Sequence, residues 1–253
     1  MKIRYALCLS LAPWFAFGGV AAADEFTPAQ KQEMGAFIKD YLVNNPDVLR
    51  AAIEALDKHD KQVAEAERSK AVTDQAGPLF SSKYQADIGN ATGSATLVEF
   101  FDYNCHYCKG ALPDIAKLMK DDPNLHLVLK DFPVLGPGSV ESARVAIAAR
   151  NQLPGEKFWA FHTKLLSMHG PIGKAEALSV AKDLGLDMDK LAKDMESKDV
   201  ETGLHEVMGM ADSLQINGTP SFVVGDQVIV GASDLDNLRE QIAAVHKCGR
   251  TVC

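Results

Sequence analysis

The sequence predicts an α/β fold in which helices pack on a small sheet. An apolar run at 95–98, a helical pattern at 111–119 and a second apolar run at 125–129 form a strand–helix–strand unit. A block of helices follows over about 139–215, and a short hairpin with a final helix ends this domain at about 221–245. Strands that alternate with helices in this way are typical of α/β architecture.

Residues 1–23 have the pattern of a secretory signal peptide. Lys2 and Arg4 give a positive start, an apolar stretch runs to about Val20, and three alanines at 21–23 supply a cleavage site. A transmembrane anchor is the alternative, but the apolar segment is short for one. We therefore expect an exported, periplasmic protein whose mature chain begins near Asp24.

The five cysteines support an oxidising compartment. Cys8 falls within the predicted signal peptide, and the other four form two close pairs, Cys105 with Cys108 and Cys248 with Cys253. An even number of cysteines is typical of an exported protein that forms disulfides. The formal net charge of −8 at pH 7 disfavours nucleic acid or an anionic membrane as the main partner.

Two amphipathic helices are predicted over 24–77. Thr27-Pro28 and Asn45-Pro46 each place a capping residue before a proline at the first helical position. The large apolar residues recur on one face of each helix, but this segment is too small to form a core by itself. These faces pack either on the chain's own catalytic domain or on other copies of the chain. We favour a self-association arm, with the charged stretch beyond Asp57 as a linker and a boundary near Gly77.

The main domain is predicted to span 78–247, with a cysteine-containing tail at 248–253. A weak first strand falls within 79–94, and the helical insertion at about 139–215 interrupts the sheet. Ser233-Asp234-Leu235-Asp236 resembles a capping box that opens the last helix.

Cys105-His106-Tyr107-Cys108 lies where the strand at 95–98 passes into the following helix. Cys105 would occupy the helix N-terminus, where unpaired N–H groups and the helix dipole favour a thiolate. We expect Cys105 to be an exposed nucleophile and Cys108, one turn later, a buried resolving thiol.

Half of a zinc site is the main alternative for this motif, since two cysteines at this spacing also bind metal. The histidines of the chain are scattered, and the second cysteine pair has a different spacing. The pattern therefore favours a redox pair without metal or other cofactor. A copper- or zinc-binding protein or holdase that uses Cys105, Cys108 and His106 as ligands remains a second class of function.

His106 adjoins the predicted nucleophile. A protonated His106 ring would favour the thiolate and make the disulfide more oxidising, whereas a solvent-facing ring would have no effect. Tyr107 is expected to shape the surface that meets the substrate.

The segment Val98-Glu99-Phe100-Phe101-Asp102-Tyr103-x-Cys-x-x-Cys, the inserted helices and Gly218-Thr219-Pro220 resemble the DsbA-like thiol–disulfide oxidoreductases of the thioredoxin fold. The resemblance covers about 79–245. It implies a cis proline at Pro220, with Thr219 and Pro220 binding the substrate strand beside the disulfide. It also implies protein substrates with free thiols or wrong disulfides, and a membrane redox partner.

Glu99 matches the position of a buried acid in that family. With its pKa raised by desolvation, it would exchange the proton of Cys108. A carboxylate paired with Lys130, at the end of the next strand, is the alternative and is compatible with this role.

The N-terminal arm, the tyrosine in the dipeptide and the threonine before the proline resemble the oligomeric ScsC-type members. That resemblance implies isomerase or reductase activity, whereas a monomer would favour a disulfide oxidase. Cys248 and Cys253 are predicted to form a structural disulfide, with a second redox pair that passes electrons to the first as the alternative.

Overall fold

The computed structural model describes residues 26–253, so the predicted signal peptide and Cys8 lie outside the described residues. The chain divides into two compact units, one that ends at Lys58 and one from His59 to Cys253. Across residues 26–253, no helix is both long and apolar enough to cross a bilayer.

The first unit consists of α1, Pro28–Asn44, and the start of α2, Pro46–Asp74. Thr27 caps α1, because its side chain accepts a hydrogen bond from the backbone N–H of Gln30. No residue of α1 is buried. Most large apolar side chains of this unit are exposed, among them Phe37, at 69%, and Ile53, at 58%.

The second unit begins earlier than the boundary expected near Gly77. The later part of α2 belongs to it and buries Val72, and the short helix α3, Ala76–Phe80, buries Leu79. Both side chains join one apolar cluster with the sheet. The sequence does not predict this packing, because the later part of α2 is mostly charged and only a few of its apolar residues face the sheet.

Five strands form one sheet in the order β1-β3-β2-β4-β5. The β2–β3 pair is parallel, and the other pairs are antiparallel. The strands are β1, Ala86–Gly89; β2, Ala95–Phe101; β3, Leu125–Asp131; β4, Ser221–Val224; and β5, Gln227–Val230.

Seven more helices complete the described chain and confirm the predicted element order. The helix after β2 is α4, and five helices form the insertion between β3 and β4. Of the capping box predicted at the last helix, only the cap at Asp234 is present: its side chain accepts a hydrogen bond from the backbone N–H of Asn237. The helices are α4, His106–Asp121; α5, Pro137–Ala149; α6, Glu156–Leu166; α7, Lys174–Asp183; α8, Met188–Met195; α9, Lys198–Ser213; and α10, Leu235–Cys248.

Strand β2 is buried on both faces, which explains its continuous apolar sequence. Leu97 and Phe101 point into the larger cluster, with residues of α4, α5 and α6. Val98 and Phe100 point into the other cluster, with residues of α3 and α9. Alternate positions of β2 therefore have different surroundings, and this decides which side chains meet the cysteines.

Gly93, in the turn before β2, allows a close approach to the turn before β3. A Cβ at this position would lie 2.0 Å from the backbone oxygen of Asn124. We expect Gly93→Ala to lower the free energy of unfolding by about 1–3 kcal/mol, because backbone must move to relieve the clash. Urea unfolding monitored by circular dichroism measures this change.

Gly209, on the exposed side of α9, is the matched control. A Cβ there meets nothing within 4 Å, so Gly209→Ala should stabilise the protein by up to about 1 kcal/mol. Equal stabilities of the two variants would contradict the prediction.

Candidate active site

Cys105 is the N-cap residue of α4, at the junction that the sequence predicts. Its backbone is extended, and its Sγ accepts a hydrogen bond from the backbone N–H of Cys108 at 3.2 Å. The backbone N–H of Cys105 donates to the carbonyl of Asp102, which closes the turn after β2. The sulfur therefore takes the place of a capping oxygen at the positive end of the helix.

Thr219 and Pro220 lie against this sulfur. The Thr219–Pro220 peptide bond is cis, as the family resemblance implies. Strand β4 follows directly and pairs with β2, and the Cys105 Sγ lies 3.1 Å from the backbone oxygen of Thr219. Two segments that are more than a hundred residues apart in sequence thus meet at one sulfur.

The two thiols have opposite electrostatic surroundings. A hydrogen bond from the Cys108 thiol lowers the pKa of Cys105 to about 6, and the side chain of Thr219 and the N–H groups of Cys108 and Tyr107 add to this shift against burial. Burial raises the pKa of Cys108, and its contact with Cys105 and the charge of Glu99 add to that rise. One sulfur is therefore poised as a thiolate and the other as a thiol.

The expectation of an exposed nucleophile is wrong for this structure. Cys105 is only 3% exposed, and Cys108 is fully buried. The backbone of Thr219 covers the Cys105 sulfur, a contact between distant segments that a local sequence motif does not reveal. The low pKa expected of Cys105 is nevertheless present, because hydrogen bonds to the sulfur lower the pKa and exposure to solvent is not needed for it.

Glu99 is fully buried on the face of β2 that carries Leu97 and Phe101. Neither of its carboxyl oxygens has a hydrogen-bond partner. Burial, and then the charge of Cys105, raise the pKa of Glu99 to about 8. The carboxyl group can therefore gain or lose a proton near neutral pH, which a role in exchanging the proton of Cys108 would require.

The alternative pairing of Glu99 with Lys130 is wrong. Glu99 lies opposite Leu129 in the β2–β3 register, so Lys130, one residue later, points to the other face of the sheet. The Lys130 Nζ donates instead to the backbone oxygen of Pro78 and to the Gln85 side chain, at 2.7 and 2.8 Å.

His106 and Tyr107 are both exposed at the start of α4. Their ring centroids lie 5.7 Å apart, and 66% of Tyr107 is accessible. None of the hydrogen bonds that lower the pKa of Cys105 involves the His106 ring. His106 therefore lies beside the nucleophile, but the lowered pKa of Cys105 has other causes.

Two polar residues that sequence reasoning missed hold the active-site turn in place. The buried Asp102 carboxylate accepts from the backbone N–H groups of Asn104, Val134 and Leu135. Asn104 in turn accepts from the N–H of Ile172 and donates to its carbonyl, at 2.7 and 2.8 Å. An Asp and an Asn just after a strand are the only sequence signal for this arrangement.

Cys248 and Cys253 form a disulfide, as predicted. The alternative of a second redox pair that passes electrons directly to the first is wrong on geometry. His246, two residues before Cys248, bonds to Asp122 at the C-terminal end of α4, whereas Cys105 caps its N-terminal end. A 16-residue helix, about 24 Å long, separates the two ends.

The alternative metal site lacks a third ligand in the described region. Among residues 26–253, no three His, Cys, Asp or Glu side chains are grouped closely enough to hold a metal ion. Cys105, Cys108 and His106 therefore do not form such a group.

Comparison with known families decides the classification. The model of the DSBA-like thioredoxin domain matches residues 96–243, which include the cysteine pair, the helical insertion and the cis proline. The chain belongs to the DSBA-like family. Its strand order and helical insertion are therefore the thioredoxin-like fold that the resemblance implied. A second model, the copper resistance protein ScsC N-terminal domain, matches residues 30–62, within α1 and α2.

Two solved structures show how far the likeness extends. A thioredoxin-like oxidoreductase from Silicibacter pomeroyi is 39% identical, with a TM-score of 0.64, over 68% of this chain and 98% of that one. Proteus mirabilis ScsC in a transitional conformation is 27% identical, with a TM-score of 0.65, over 88% of this chain and 97% of that one. The second likeness includes part of the N-terminal arm.

Some curated relatives are much longer than this chain. A Na(+)/H(+) antiporter NhaA 1 from Salinispora arenicola is 28% identical over 158 residues, which are 62% of this chain. This chain spans only 24% of that antiporter's length. The likeness therefore concerns one part of the antiporter and does not extend to its whole sequence.

The lowered pKa of Cys105 is directly testable. In the reduced protein, the ultraviolet absorbance of the thiolate should rise with pH with a midpoint near 6, because deprotonation is favoured by the hydrogen bonds at the α4 N-terminus. The Cys105→Ala variant should lose this step. A midpoint near the ordinary cysteine value of about 8.5 would contradict the assignment.

Proposed function

We propose that this protein is an exported thiol–disulfide oxidoreductase that exchanges disulfides with protein substrates. The observation that carries the proposal is the pairing at the start of α4. Cys105, with its pKa lowered to about 6, accepts a hydrogen bond from the backbone of Cys108, whose own pKa is raised. A nucleophilic sulfur beside a protonated resolving sulfur is the requirement of stepwise disulfide exchange.

In the oxidising direction, a substrate thiolate attacks the Cys105 sulfur of the Cys105–Cys108 disulfide. A substrate–Cys105 bond forms, the Cys105–Cys108 bond breaks, and the electron pair leaves on the Cys108 sulfur. That sulfur then takes up a proton, which Glu99 supplies. The substrate's second thiolate attacks the mixed disulfide and releases Cys105 as a thiolate, a good leaving group because its pKa is low.

In the reducing direction, the Cys105 thiolate attacks a substrate disulfide: a substrate–Cys105 bond forms, the substrate's own S–S bond breaks, and its other sulfur leaves as a thiolate. Glu99 then takes the proton of Cys108, the Cys108 thiolate attacks Cys105, and the substrate leaves as a thiolate while the Cys105–Cys108 disulfide forms. In isomerisation, another thiolate of the substrate attacks the mixed disulfide in place of Cys108, so that Cys105 leaves as a thiolate and no net oxidation or reduction occurs. Because Glu99 is buried and has a pKa of about 8, it holds or gives up a proton near neutral pH.

Thr219 and Pro220 are the proposed binding residues for the substrate strand. The backbone oxygen of Thr219 lies at the reacting sulfur, and Pro220 holds the preceding peptide in the cis form. A peptide whose sulfur replaces this contact would lie along the Thr219 backbone. The exposed Tyr107 and His106 border the same position and would contact the substrate's neighbouring residues.

We assign the N-terminal arm to self-association, and isomerase or reductase activity to the assembled protein. The arm exposes a set of large apolar side chains, and its sequence matches the ScsC N-terminal domain model. Exposed apolar patches of this kind are typical of association surfaces. The export signal pattern at 1–23 supports a periplasmic location, where a membrane redox partner would restore the working redox state.

The cysteine roles are tested by two single substitutions. Cys105→Ala should abolish exchange on both a reduced and a scrambled substrate, because no nucleophile remains. Cys108→Ala should accumulate the substrate–Cys105 mixed disulfide, which non-reducing electrophoresis and mass spectrometry detect. Full exchange activity in Cys105→Ala would disprove the proposed function.

The role of the arm is tested by solution mass. Phe37→Glu adds a charge to the apolar face of α1, and we expect it to convert an oligomer into a monomer that oxidises dithiols but loses isomerase activity. Lys39→Glu, on another face of the same helix, should keep the oligomer. Light scattering after size-exclusion chromatography measures both masses, and a monomeric parent protein would instead favour the oxidase alternative.

A further inference from the structure

The segment from Met168 to Ile172, between α6 and α7, is attached to the active-site turn by side chains on both sides of the cysteine pair. Lys109 directly follows the pair, and its Nζ donates to the backbone oxygen of Met168 at 2.7 Å. Asn104 directly precedes the pair and bonds to both backbone polar groups of Ile172. The proposed exchange steps assign no role to Lys109 or to this segment.

Lys109 lies one helical turn after Cys105 on α4. Its backbone N–H donates to the carbonyl of Cys105 at 3.1 Å, and side chains four residues apart lie on the same face of a helix. Because helical side chains tilt toward the N-terminus, the lysine side chain leans toward the turn that holds the nucleophile. Its bond to Met168 is partly buried and carries a charge on the donor, so it is stronger than a neutral bond in water.

The two ends of this segment are packed, whereas its middle is open. Ile172 is 1% exposed, and a Cβ at Gly138 would lie 2.8 Å from its backbone oxygen, so the first turn of α5 packs directly on it. Met168 packs against the apolar cluster that includes both cysteines. Residues 169–171, between these two anchors, are exposed.

The exposed part of this segment has free backbone groups. Within the described residues, the N–H groups of His169 and Gly170 and the carbonyl oxygens of 169–171 make no hydrogen bond to other backbone groups. The left-handed backbone of Gly170, with a φ of 83°, turns the chain at this point. A loop that a rigid scaffold holds in place, with its backbone open to solvent, is a common setting for peptide binding.

The segment lies within reach of a substrate that is bonded to Cys105. Asn104 and Cys105 are consecutive, so their Cα atoms are about 3.8 Å apart. A single hydrogen bond of 2.7 Å then joins the Asn104 side chain to Ile172. An extended substrate strand advances about 3.3 Å per residue, so substrate residues a few positions from the bonded cysteine can contact residues 168–171.

We propose that residues 168–171 form a second wall of the substrate site, in addition to the Thr219 backbone, and that Lys109 is a positioning residue that holds this wall beside Cys105. The occupant is the unfolded segment of a protein substrate that flanks its reacting cysteine. This inference rests on the proposed function and deepens it. The wall contacts the substrate both before and during the exchange of bonds, so it contributes to binding and leaves the chemical step unchanged.

The first test compares a peptide with a small dithiol. The oxidised protein is reduced either by an unstructured peptide that carries two cysteines or by dithiothreitol, which is too small to contact the segment while it reacts with Cys105. Lys109→Met keeps an unbranched side chain and removes its donor. It should raise the KM for the peptide about fivefold or more at unchanged kcat, because uniform binding is lost, and leave the rate with dithiothreitol unchanged.

The double variant His169→Ala with Pro171→Ala tests the wall without changing its anchors. Both side chains are exposed, so this variant should fold even if Lys109→Met folds poorly, and it should also raise the KM for the peptide. Lys117→Met is the matched control, because Lys117 lies on the same helix, is exposed and bonds to Asp121. It should behave as the parent protein.

Photo-cross-linking locates the bound substrate directly. In the Cys108→Ala variant, the Cys105 thiolate attacks a peptide whose single cysteine carries a thionitrobenzoate group. A peptide–Cys105 disulfide forms, the bond to thionitrobenzoate breaks, and thionitrobenzoate leaves as a thiolate. A benzophenone side chain, placed in turn a few residues to either side of the peptide cysteine, should then cross-link to residues 168–171 from at least one side, which mass spectrometry of the digested product identifies.

Parent KM values for the peptide in both Lys109→Met and the double variant would overturn the proposal, as would the absence of cross-links to residues 168–171. Equal slowing of Lys109→Met with the peptide and with dithiothreitol would also overturn it, since Lys109 would then act on Cys105 itself. In each of these outcomes the peptide–Cys105 disulfide still forms, whereas exchange by Cys105→Ala would remove the proposed function as a whole.

Discussion

The hydrogen bond from the Cys108 backbone to the Cys105 sulfur is the interaction on which the site depends. It places the sulfur at the N-terminus of α4, where a negative charge is favoured. The same turn buries Cys108 one helical turn later and so keeps its proton. The difference in acidity between the two sulfurs therefore has two sources: hydrogen bonds to the Cys105 sulfur, first from the Cys108 thiol and then from backbone N–H groups, lower the pKa of Cys105, and burial raises the pKa of Cys108.

Strand β2 provides the second constraint, because both of its faces are buried. Because successive side chains of β2 point to opposite faces, Glu99 lies on the side of the sheet where α4 packs and Phe100 lies on the other side. A carboxyl group with no partner on that side has its pKa raised by desolvation, and the sulfur's charge raises it further. The acidic residue is thus tuned by the sheet itself and not by a dedicated partner.

The sequence predicts the local parts of this structure well. The cap at Thr27, the helix start at Cys105 and the insertion between β3 and β4 all follow from short-range patterns. Short-range patterns do not predict contacts between distant segments. The burial of Cys105 under the Thr219 backbone, and the hydrogen bonds of Asp102 and Asn104, depend on loops that are far away in sequence. The sequence leaves a pairing of Glu99 with Lys130 open as an alternative, because both are charged and lie on neighbouring strands, but a one-residue offset in register puts them on opposite faces.

Asn104 holds the helical insertion at two points, the backbone atoms of Ile172 and the side-chain oxygen of Ser139, to which its Nδ2 donates at 3.1 Å. The first point depends only on the path of the backbone, whereas the second needs a hydroxyl group. Substitutions elsewhere in the insertion leave these three hydrogen bonds in place, provided that Ser139 and the backbone path at Ile172 are kept. The outer surface of the inserted helices can therefore vary in sequence while its attachment to the catalytic turn stays the same.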